Sequence, residues 1–300
     1  MKSTTIIDTV AALLPYTRME KLRQNLFTTR SAIIATLYIA ILSSVACDDK
    51  LDPAFSGFSI FGVDNANNLI RFGRMTPQTV TLRAPITGLQ TGESILGIDF
   101  RPADNLLYAL GSTNRVYLLD TLTAAATPIS ILPFVPALTG SSFGFDFNPV
   151  ADRIRIHSNI GENERLDQRT GVVAAIDTAL AYAVGDANFG NAPRIVASAY
   201  TNSVPSATGT VLYAIDSNRD ILVSIPSPNS GQLRTAGSFG IFDTNDFAGF
   251  DIDGGSGAAY ATLTSSGKSM LFSASLNSGA MTLIGDVNNP SPLVGIAIAP

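Results

Sequence analysis

The sequence has 300 residues, of which 46% are hydrophobic and 14% charged, and its 25 glycines and 16 prolines are typical of a folded protein with many turns. The first 46 residues hold five of the 19 basic and two of the 24 acidic residues, so the remainder has a net charge of −8, which argues against a nucleic-acid partner. One cysteine, Cys47, excludes an intrachain disulfide, and one histidine, His157, excludes a multi-histidine zinc or iron centre.

An apolar run near the N-terminus has the features of an export signal. Lys21 and Arg30 precede an uncharged run over residues 32–42, and small residues then lead to Cys47. The run is short for a membrane span, whereas basic residues, a short apolar stretch and small residues in this order are typical of a cleaved signal. We therefore expect residues 1–46 to be a signal segment, with an uncleaved transmembrane anchor as the alternative.

The position of Cys47 directly after small residues resembles a bacterial lipoprotein signal, in which the cysteine is lipidated and becomes the mature N-terminus. Three positions before it stands Ser44 instead of a large aliphatic residue, so ordinary cleavage after Ala46 is a second possibility. The run Asp-Asp-Lys at residues 48–50 resembles the export signal of surface lipoproteins in some Gram-negative groups. We expect an outer-membrane or cell-surface lipoprotein, with a periplasmic or secreted protein as the alternative.

These features divide the chain into three parts. Residues 1–46 form the signal segment, residues 47–54 a short tether, and residues 55–300 a single domain. Because Met19 would give a signal of more conventional length, we expect translation to begin there.

A repeated pattern runs through the domain. Short apolar runs alternate with turn-forming residues, and no stretch has convincing helical periodicity. Segments that match one template begin at Gly97, Gly144, Gly249 and Gly295, and a degenerate copy lies at residues 195–198. The copies recur roughly every 45 to 55 residues, which is the period of four-stranded propeller blades.

The order of elements within each unit also repeats. After the first strand come an apolar strand such as residues 106–110, a polar turn such as residues 111–114, and a third strand such as residues 116–119. A second turn, for instance residues 168–171, leads to an outermost strand such as residues 172–176. Gly, Asn, Asp and Ser in the turns supply the positive φ angles or local hydrogen bonds that tight hairpins need.

The two ends of the domain complement each other. Residues 58–86 carry three strands of a unit without its first strand, and residues 294–299 supply a first strand alone. Pairing them would close a ring and cover edges that otherwise invite aggregation. We predict an all-β fold, a five-bladed β-propeller of four-stranded antiparallel blades, closed by pairing the C-terminal strand with the N-terminal three strands.

The Gly-x-Asp-Phe-x-Pro repeats, at residues 97–102 and 144–149, occur together with Leu-Tyr strands and Thr-Gly hairpins. This combination resembles a family of exported bacterial proteins catalogued as a domain of unknown function, number four-three-nine-four. The resemblance covers residues 55–300 and implies a propeller-like fold. It implies no activity, substrate or catalytic residue.

Three aspartates, Asp99, Asp146 and Asp251, occupy equivalent positions in the repeats. The innermost strand of each blade lines the central channel of a propeller, so we expect their carboxylates to converge. Ca²⁺ prefers oxygen ligands, and propeller hydrolases that open lactones use a channel metal, which makes the three residues candidate metal ligands. The interpretation that we favour is structural: each aspartate caps backbone N–H groups of the adjoining loop or neighbouring blade, because a repeated residue usually serves a repeated structural need.

Two polar segments have features of calcium loops but are predicted to be turns. Residues 251–257 open like such a loop and lack the downstream glutamate that completes it, and residues 64–68 have a similar composition. Glycine, asparagine and aspartate in both segments favour a plain hairpin turn.

His157 is the candidate for a site away from the axis. It alternates with apolar residues of its strand, and the charged segment 159–165 follows it, so it could act as a lone general base. The sequence offers no cysteine besides Cys47 and no Gly-x-Ser-x-Gly motif, so we expect His157 to lie at the surface or at a hairpin end.

We therefore predict a non-enzymatic binding or interaction module of the cell envelope, a monomer that takes no cofactor and is held at the membrane by its lipid anchor. Its partner would be an envelope or extracellular ligand. One alternative is a calcium-dependent hydrolase or lyase with Asp99, Asp146 and Asp251 around a channel metal. The other is a purely structural component of the envelope.

Overall fold

A computed structural model describes residues 59–240 and 242–300. The predicted signal segment, Cys47 and the tether over residues 47–54 lie outside the described residues. Across the described part of the chain, no helix has the length and apolar character that crossing a membrane requires.

The regular secondary structure of the described residues is β-strand, apart from one turn of 3-10 helix at Pro228–Ser230. The first three units contain β1 (Ser59–Asp64), β2 (Asn68–Gly73), β3 (Thr76–Pro85), β4 (Ile95–Phe100), β5 (Leu107–Gly111), β6 (Arg115–Leu119), β7 (Ala126–Pro128), β8 (Phe143–Asn148), β9 (Arg153–Ser158), β10 (Asn163–Leu166) and β11 (Val173–Ile176). The remainder contains β12 (Ala181–Tyr182), β13 (Ile195–Tyr200), β14 (Leu212–Asp216), β15 (Ile221–Ile225), β16 (Gln232–Ser238), β17 (Ala248–Ile252), β18 (Ala259–Ser265), β19 (Lys268–Ala274), β20 (Met281–Asp286) and β21 (Leu293–Ile298).

These strands form five sheets, which we number as blades in the order of β1, β4, β8, β13 and β17. The innermost strands are β21, β4, β8, β13 and β17, and each packs beside the innermost strands of the two neighbouring blades, so that the five surround one axis. The first blade is assembled from both ends of the described chain. Its strand β21 pairs antiparallel with β1, with Ile60 opposite Ile298 and Val63 opposite Gly295.

The predicted five-bladed propeller is confirmed, and the fourth blade differs from the prediction by one strand. Its outer strand β16 pairs in parallel with β12, so this sheet has five strands and is mixed. The extra strand follows from the contact between the third and fourth blades. Blade 3 presents Arg155 and other polar side chains to blade 4. The apolar cluster of blade 4 therefore includes Leu180 and Tyr182, which come from the β12 segment.

Apolar clusters between adjacent blades form the rest of the core. Phe61 and Val63 of blade 1 pack with Ile98 and Leu107 of blade 2, and comparable clusters join blades 2 and 3, 4 and 5, and 5 and 1. Because both faces of the inner strands are covered by neighbouring blades, nearly every residue of these strands is buried.

The recurring glycines lie where the inner strands approach each other most closely. A Cβ atom at Gly97 would lie 2.8 Å from Cβ of Phe145, and one at Gly249 would lie 2.7 Å from the backbone nitrogen of Ile296. The space that remains at this level is about 10 Å³, at the lower limit for one water molecule. The axis is therefore nearly closed at the glycine level.

Removal of residues 293–300 should unfold the domain. It deletes β21, whose side chains Leu293, Ile296 and Ile298 are buried, and burial of each such side chain contributes about 1.5–3 kcal/mol. The total loss of about 5 kcal/mol or more is comparable with the whole stability of a typical domain, about 5–15 kcal/mol. Circular dichroism during heating would measure the loss, with deletion of Pro300 alone as the control. A shortened chain that melts like the full one would contradict the expectation.

Candidate functional site

Three buried aspartates meet at the axis, one level beyond the glycines. Asp99 lies on β4, Asp146 on β8 and Asp251 on β17, and all three are at least nine-tenths buried. One carboxylate oxygen of each lies within 4.8 Å of those of the other two. The predicted convergence is confirmed, and we refer to these residues as the axial triad.

Each member of the axial triad accepts a hydrogen bond from the backbone of the next blade. The three bonds are Phe147 N–H to Asp99 Oδ2 (2.8 Å), Tyr200 N–H to Asp146 Oδ1 (3.0 Å) and Ile298 N–H to Asp251 Oδ2 (2.6 Å). In every case the donor directly follows the position that is equivalent to the aspartate. The interpretation that the aspartates cap N–H groups of a neighbouring blade is therefore confirmed.

The fourth and first blades have alanine at the equivalent position, so they offer no carboxylate to the next blade. Of the N–H groups concerned, that of Ile252 bonds to the aspartate of its own strand, where Asp251 Oδ1 accepts it at 2.6 Å. Three carboxylates thus serve four buried backbone donors, which would otherwise be unpaired.

Burial and mutual repulsion favour the protonated form of the axial triad. Burial raises the pKa of Asp99 and of Asp146 well above the usual range, and the neighbouring carboxylates raise both further. Burial raises the pKa of Asp251 to about 6. The backbone N–H bonds act in the opposite direction and do not cancel the effect.

A pocket opens above the axial triad, on the side away from the glycines. Its volume is about 300 Å³, in the range of small-ligand sites. We call it the axial pocket; its lining consists of Asp99, Phe100, Pro102, Asn105, Ser203, Val204, Pro205, Asp251, Ile252, Asp253, Gly254, Gly255, Ile298, Ala299 and Pro300. The site therefore combines mostly apolar walls with three buried carboxyl groups, those of Asp99, Asp251 and Asp253.

The segment 251–257, which resembles a calcium loop, forms the predicted hairpin turn. Asp253 Oδ1 accepts the N–H groups of Gly255 (2.9 Å) and Ser256 (2.7 Å), and the backbone oxygen of Asp253 accepts that of Gly257. Gly257 has a φ of 71°, which glycine adopts without strain. Asp253 also lines the axial pocket, a position that the sequence did not indicate.

The segment 64–68 also forms a turn. Asp64 Oδ1 accepts the N–H groups of Ala66 (3.1 Å) and Asn68 (2.8 Å). Asp64 Oδ2 accepts a hydrogen bond from the side chain of Asn289, which precedes β21. This aspartate therefore also links β1 to the connection that leads into β21.

The expectation of a surface position for His157 is wrong, although the residue does lie near a hairpin end, one residue before β9 ends at Ser158. His157 is fully buried on β9, opposite Gly144, and burial lowers its pKa to about 3. Neither ring nitrogen makes a hydrogen bond of normal geometry, although Asn163 lies alongside and favours the protonated form. A neutral imidazole enclosed in this way cannot exchange protons with a solvent-borne substrate, so His157 belongs to the packing between blades 3 and 4.

Arg155, two residues before His157, was not singled out from the sequence. It is 2% exposed, lies opposite Asp146, and holds blades 3 and 4 together through a set of buried hydrogen bonds. Its guanidinium donates to Tyr200 Oη (3.2 Å), Asn163 Oδ1 (2.7 Å), Asp177 Oδ2 (2.7 Å) and Asn229 Oδ1 (2.7 Å). The only sequence feature that marks Arg155 is the alternation of Arg and His with Ile in β9. This alternation is found both in strands with one face exposed to solvent and in strands with one face in a polar interface, so it does not distinguish the two.

The contribution of the axial triad to the stability of the domain should fall as the pH rises from about 4 to above 6, whereas buried neutral His157, with its pKa lowered to about 3, acts in the opposite direction. The folded pKa values of the axial triad are raised, so the folded protein keeps protons that the unfolded chain loses near pH 4. This contribution is complete below the unfolded pKa and is lost as the pH passes through the folded values. In Asp146→Asn the amide oxygen can still accept the N–H of Tyr200 without a charge, so this variant should melt several degrees higher than wild type at about pH 7.5.

Asp146→Ala is the matched control, since alanine is the residue at the equivalent position of blades 1 and 4. It removes the charge and also the acceptor, and a buried N–H without a partner costs about 1–3 kcal/mol. It should therefore melt below Asp146→Asn at every pH. Equal melting temperatures for the two variants would show that the Tyr200 bond is unimportant.

No curated protein matches the sequence. Among solved structures, a chain of a nidogen/laminin complex has 14% identity and a TM-score of 0.47, and the match covers 81% of this chain and 98% of that one. YCF48 bound to D1 peptide has 12% identity and a TM-score of 0.39, with 74% and 63% covered. Myxococcus xanthus glutaminyl cyclase has 12% identity and a TM-score of 0.43, with 66% and 77% covered.

Similarities at this level carry no information about ligand or activity. The family comparison is specific: residues 68–297, most of the propeller, match the family described as "Domain of unknown function (DUF4394)". The chain therefore belongs to the DUF4394 family.

Proposed function

We propose that this protein is a ligand-binding module of the cell envelope that takes a small molecule in the axial pocket without transforming it. The observation that carries the proposal is the pocket itself. It is concave, has a volume of about 300 Å³, and places buried carboxyl groups with raised pKa values beneath apolar walls. Sites for small molecules typically have this combination of an apolar lining with a few polar groups.

The residues around the pocket support binding more than catalysis. Asp251 uses both carboxylate oxygens, and Asp99 uses its Oδ2, to hold the inner strands. His157 is enclosed between blades and does not line the pocket. A rigid ring of strands would present the pocket in a fixed shape, as a binding site requires.

A substitution at the rim of the pocket tests the proposal. Val204 lines the pocket and is 36% exposed, so Val204→Trp should fill the opening without disturbing the core. Val211, which is 40% exposed and does not line the pocket, provides the matched control Val211→Trp. Protein purified from an envelope fraction should release an organic small molecule on denaturation, at least about tenfold less from Val204→Trp than from the control. Equal release from both variants would overturn the proposal.

A second candidate is a calcium-dependent hydrolase or lyase, favoured by the oxygen atoms of the axial triad within 4.8 Å of one another. Carboxylate oxygens at that spacing fit a Ca²⁺ ion with ligand distances of about 2.3–2.6 Å. Elemental analysis of the same samples distinguishes the two: calcium in wild type but not in Asp146→Asn would favour the hydrolase or lyase. A structural component of the envelope, the third alternative, would need the carboxyl groups to hold the inner strands but would not need the pocket above them.

The proposed location rests on Cys47 and the residues before it. We expect wild-type protein in the membrane fraction of a Gram-negative host and Cys47→Ser in the soluble fraction, because acyl chains contribute about 0.8 kcal/mol per buried CH₂ group. Ser44→Ala, which keeps the cysteine, is the control and should stay with the membrane. Membrane retention of Cys47→Ser would contradict lipid anchoring.

A further inference from the structure

The chain enters the propeller beside the axial pocket. Ser59 is the first residue that the structure describes, and its backbone oxygen accepts the N–H of Ala299 at 2.9 Å. Ala299 and Pro300 both line the axial pocket. The residues that precede Ser59 therefore start next to a wall of the pocket.

The direction of β1 also places these residues on the pocket side of the ring. β1 is antiparallel to β21, with Ile60 opposite Ile298, and β21 ends at the pocket. The chain before β1 thus continues away from the closed glycine level and toward the open end of the axis. A stretch of four extended residues spans about 13 Å, so Phe55 is close enough to reach into the pocket from Ser59.

The composition of residues 54–58, which lie outside the described residues, matches the pocket walls. Their sequence, Ala-Phe-Ser-Gly-Phe, has two phenylalanines and no charge, whereas residues 48–52 contain three aspartates and a lysine. A phenylalanine side chain is stabilised against hydrocarbon such as that of Pro102, Val204 and Pro205. The Ser-Gly pair between the phenylalanines favours a turn, which a segment needs in order to fold back over the rim.

We propose that Phe55 occupies the axial pocket of its own chain, packed against Pro102, Val204 and Pro205, and that a ligand enters by displacing it. The regulatory part of this inference rests on the proposed function. A short linker gives the attached group an effective concentration in the range of about 1 mM, so even a weak contact is populated. Occupancy by Phe55 lowers the apparent affinity for every ligand, which restricts the pocket to ligands that bind tightly.

Disulfide formation tests the contact without a ligand. Cys47→Ser removes the one natural thiol of the full chain, and Phe55→Cys is then combined with Val204→Cys at the pocket or with Val150→Cys as the control. Val150 is 49% exposed, follows the end of β8 as Val204 follows that of β13, and does not line the pocket.

A disulfide requires Cα atoms about 4.4–6.8 Å apart, so under mild oxidation the Val204 pair should close at least about tenfold faster than the Val150 pair. Non-reducing electrophoresis and mass spectrometry of the peptides measure both rates. Equal rates would overturn the proposal. A disulfide between two chains would assign the pocket to a second copy and would also overturn it.

Thiol labelling provides a second measurement. In the Cys47→Ser chain, Phe55→Ser should raise the rate at which N-ethylmaleimide labels Val204→Cys by at least about threefold, because it uncovers the pocket, and leave labelling of Val150→Cys unchanged. An unchanged rate at Val204→Cys would contradict the contact.

The two proposals fail in different ways. If both thiol measurements fail while Val204→Trp still reduces the release of a bound molecule, the proposed function stands and Phe55 does not occupy the pocket. If the disulfide forms as expected and no bound molecule is released from wild type, the contact stands and the proposed function is wrong.

Discussion

The inner strands of the ring approach closely, and at the level of the axial triad backbone N–H groups of one blade face buried carboxyl groups of the next. A buried N–H without an acceptor costs about 1–3 kcal/mol, so closing the ring favours an acceptor for each of these donors. Asp99, Asp146 and Asp251 supply one in four of the five blades. The glycines make the approach possible, and the aspartates satisfy the backbone that the approach buries.

This solution places three carboxyl groups together in a buried environment, which is unfavourable when all are ionised. The three carboxyl groups lie at the open end of the axis, where the pocket above the axial triad is accessible to a ligand. Asp99 and Asp251 therefore serve the fold and also line the pocket. Asp253 lines the pocket too, while one of its oxygens holds a turn and the other lies 3.6 Å from the guanidinium of Arg74.

The boundary between blades 3 and 4 departs from the apolar packing seen between the other blades. Arg155 is buried there with four hydrogen-bond partners, and His157 lies beside it as a neutral side chain. The short strand β12 fills apolar space that blade 3 leaves open and becomes the fifth strand of blade 4. Removal of Arg155 would leave several buried acceptors without a donor, so this boundary depends on polar complementarity.

The repeats alone determined the number of blades, the order of strands within each and the equivalence of the three aspartates, because strand alternation, turn residues and close-approach glycines are local requirements that recur with the blade. The tertiary structure decided what those requirements accomplish. Asp253 looked like a turn residue and is one, yet its place in the axial pocket depends on how blades 1, 2, 4 and 5 meet around the axis. His157 and Arg155 alternate with isoleucine in a pattern that fits an exposed face, and burial of that face results from blade 4 packing against it. The spacing of residues along a strand shows which side chains share a face of that strand. Whether that face is exposed to water or covered by protein depends on the position of the neighbouring blade.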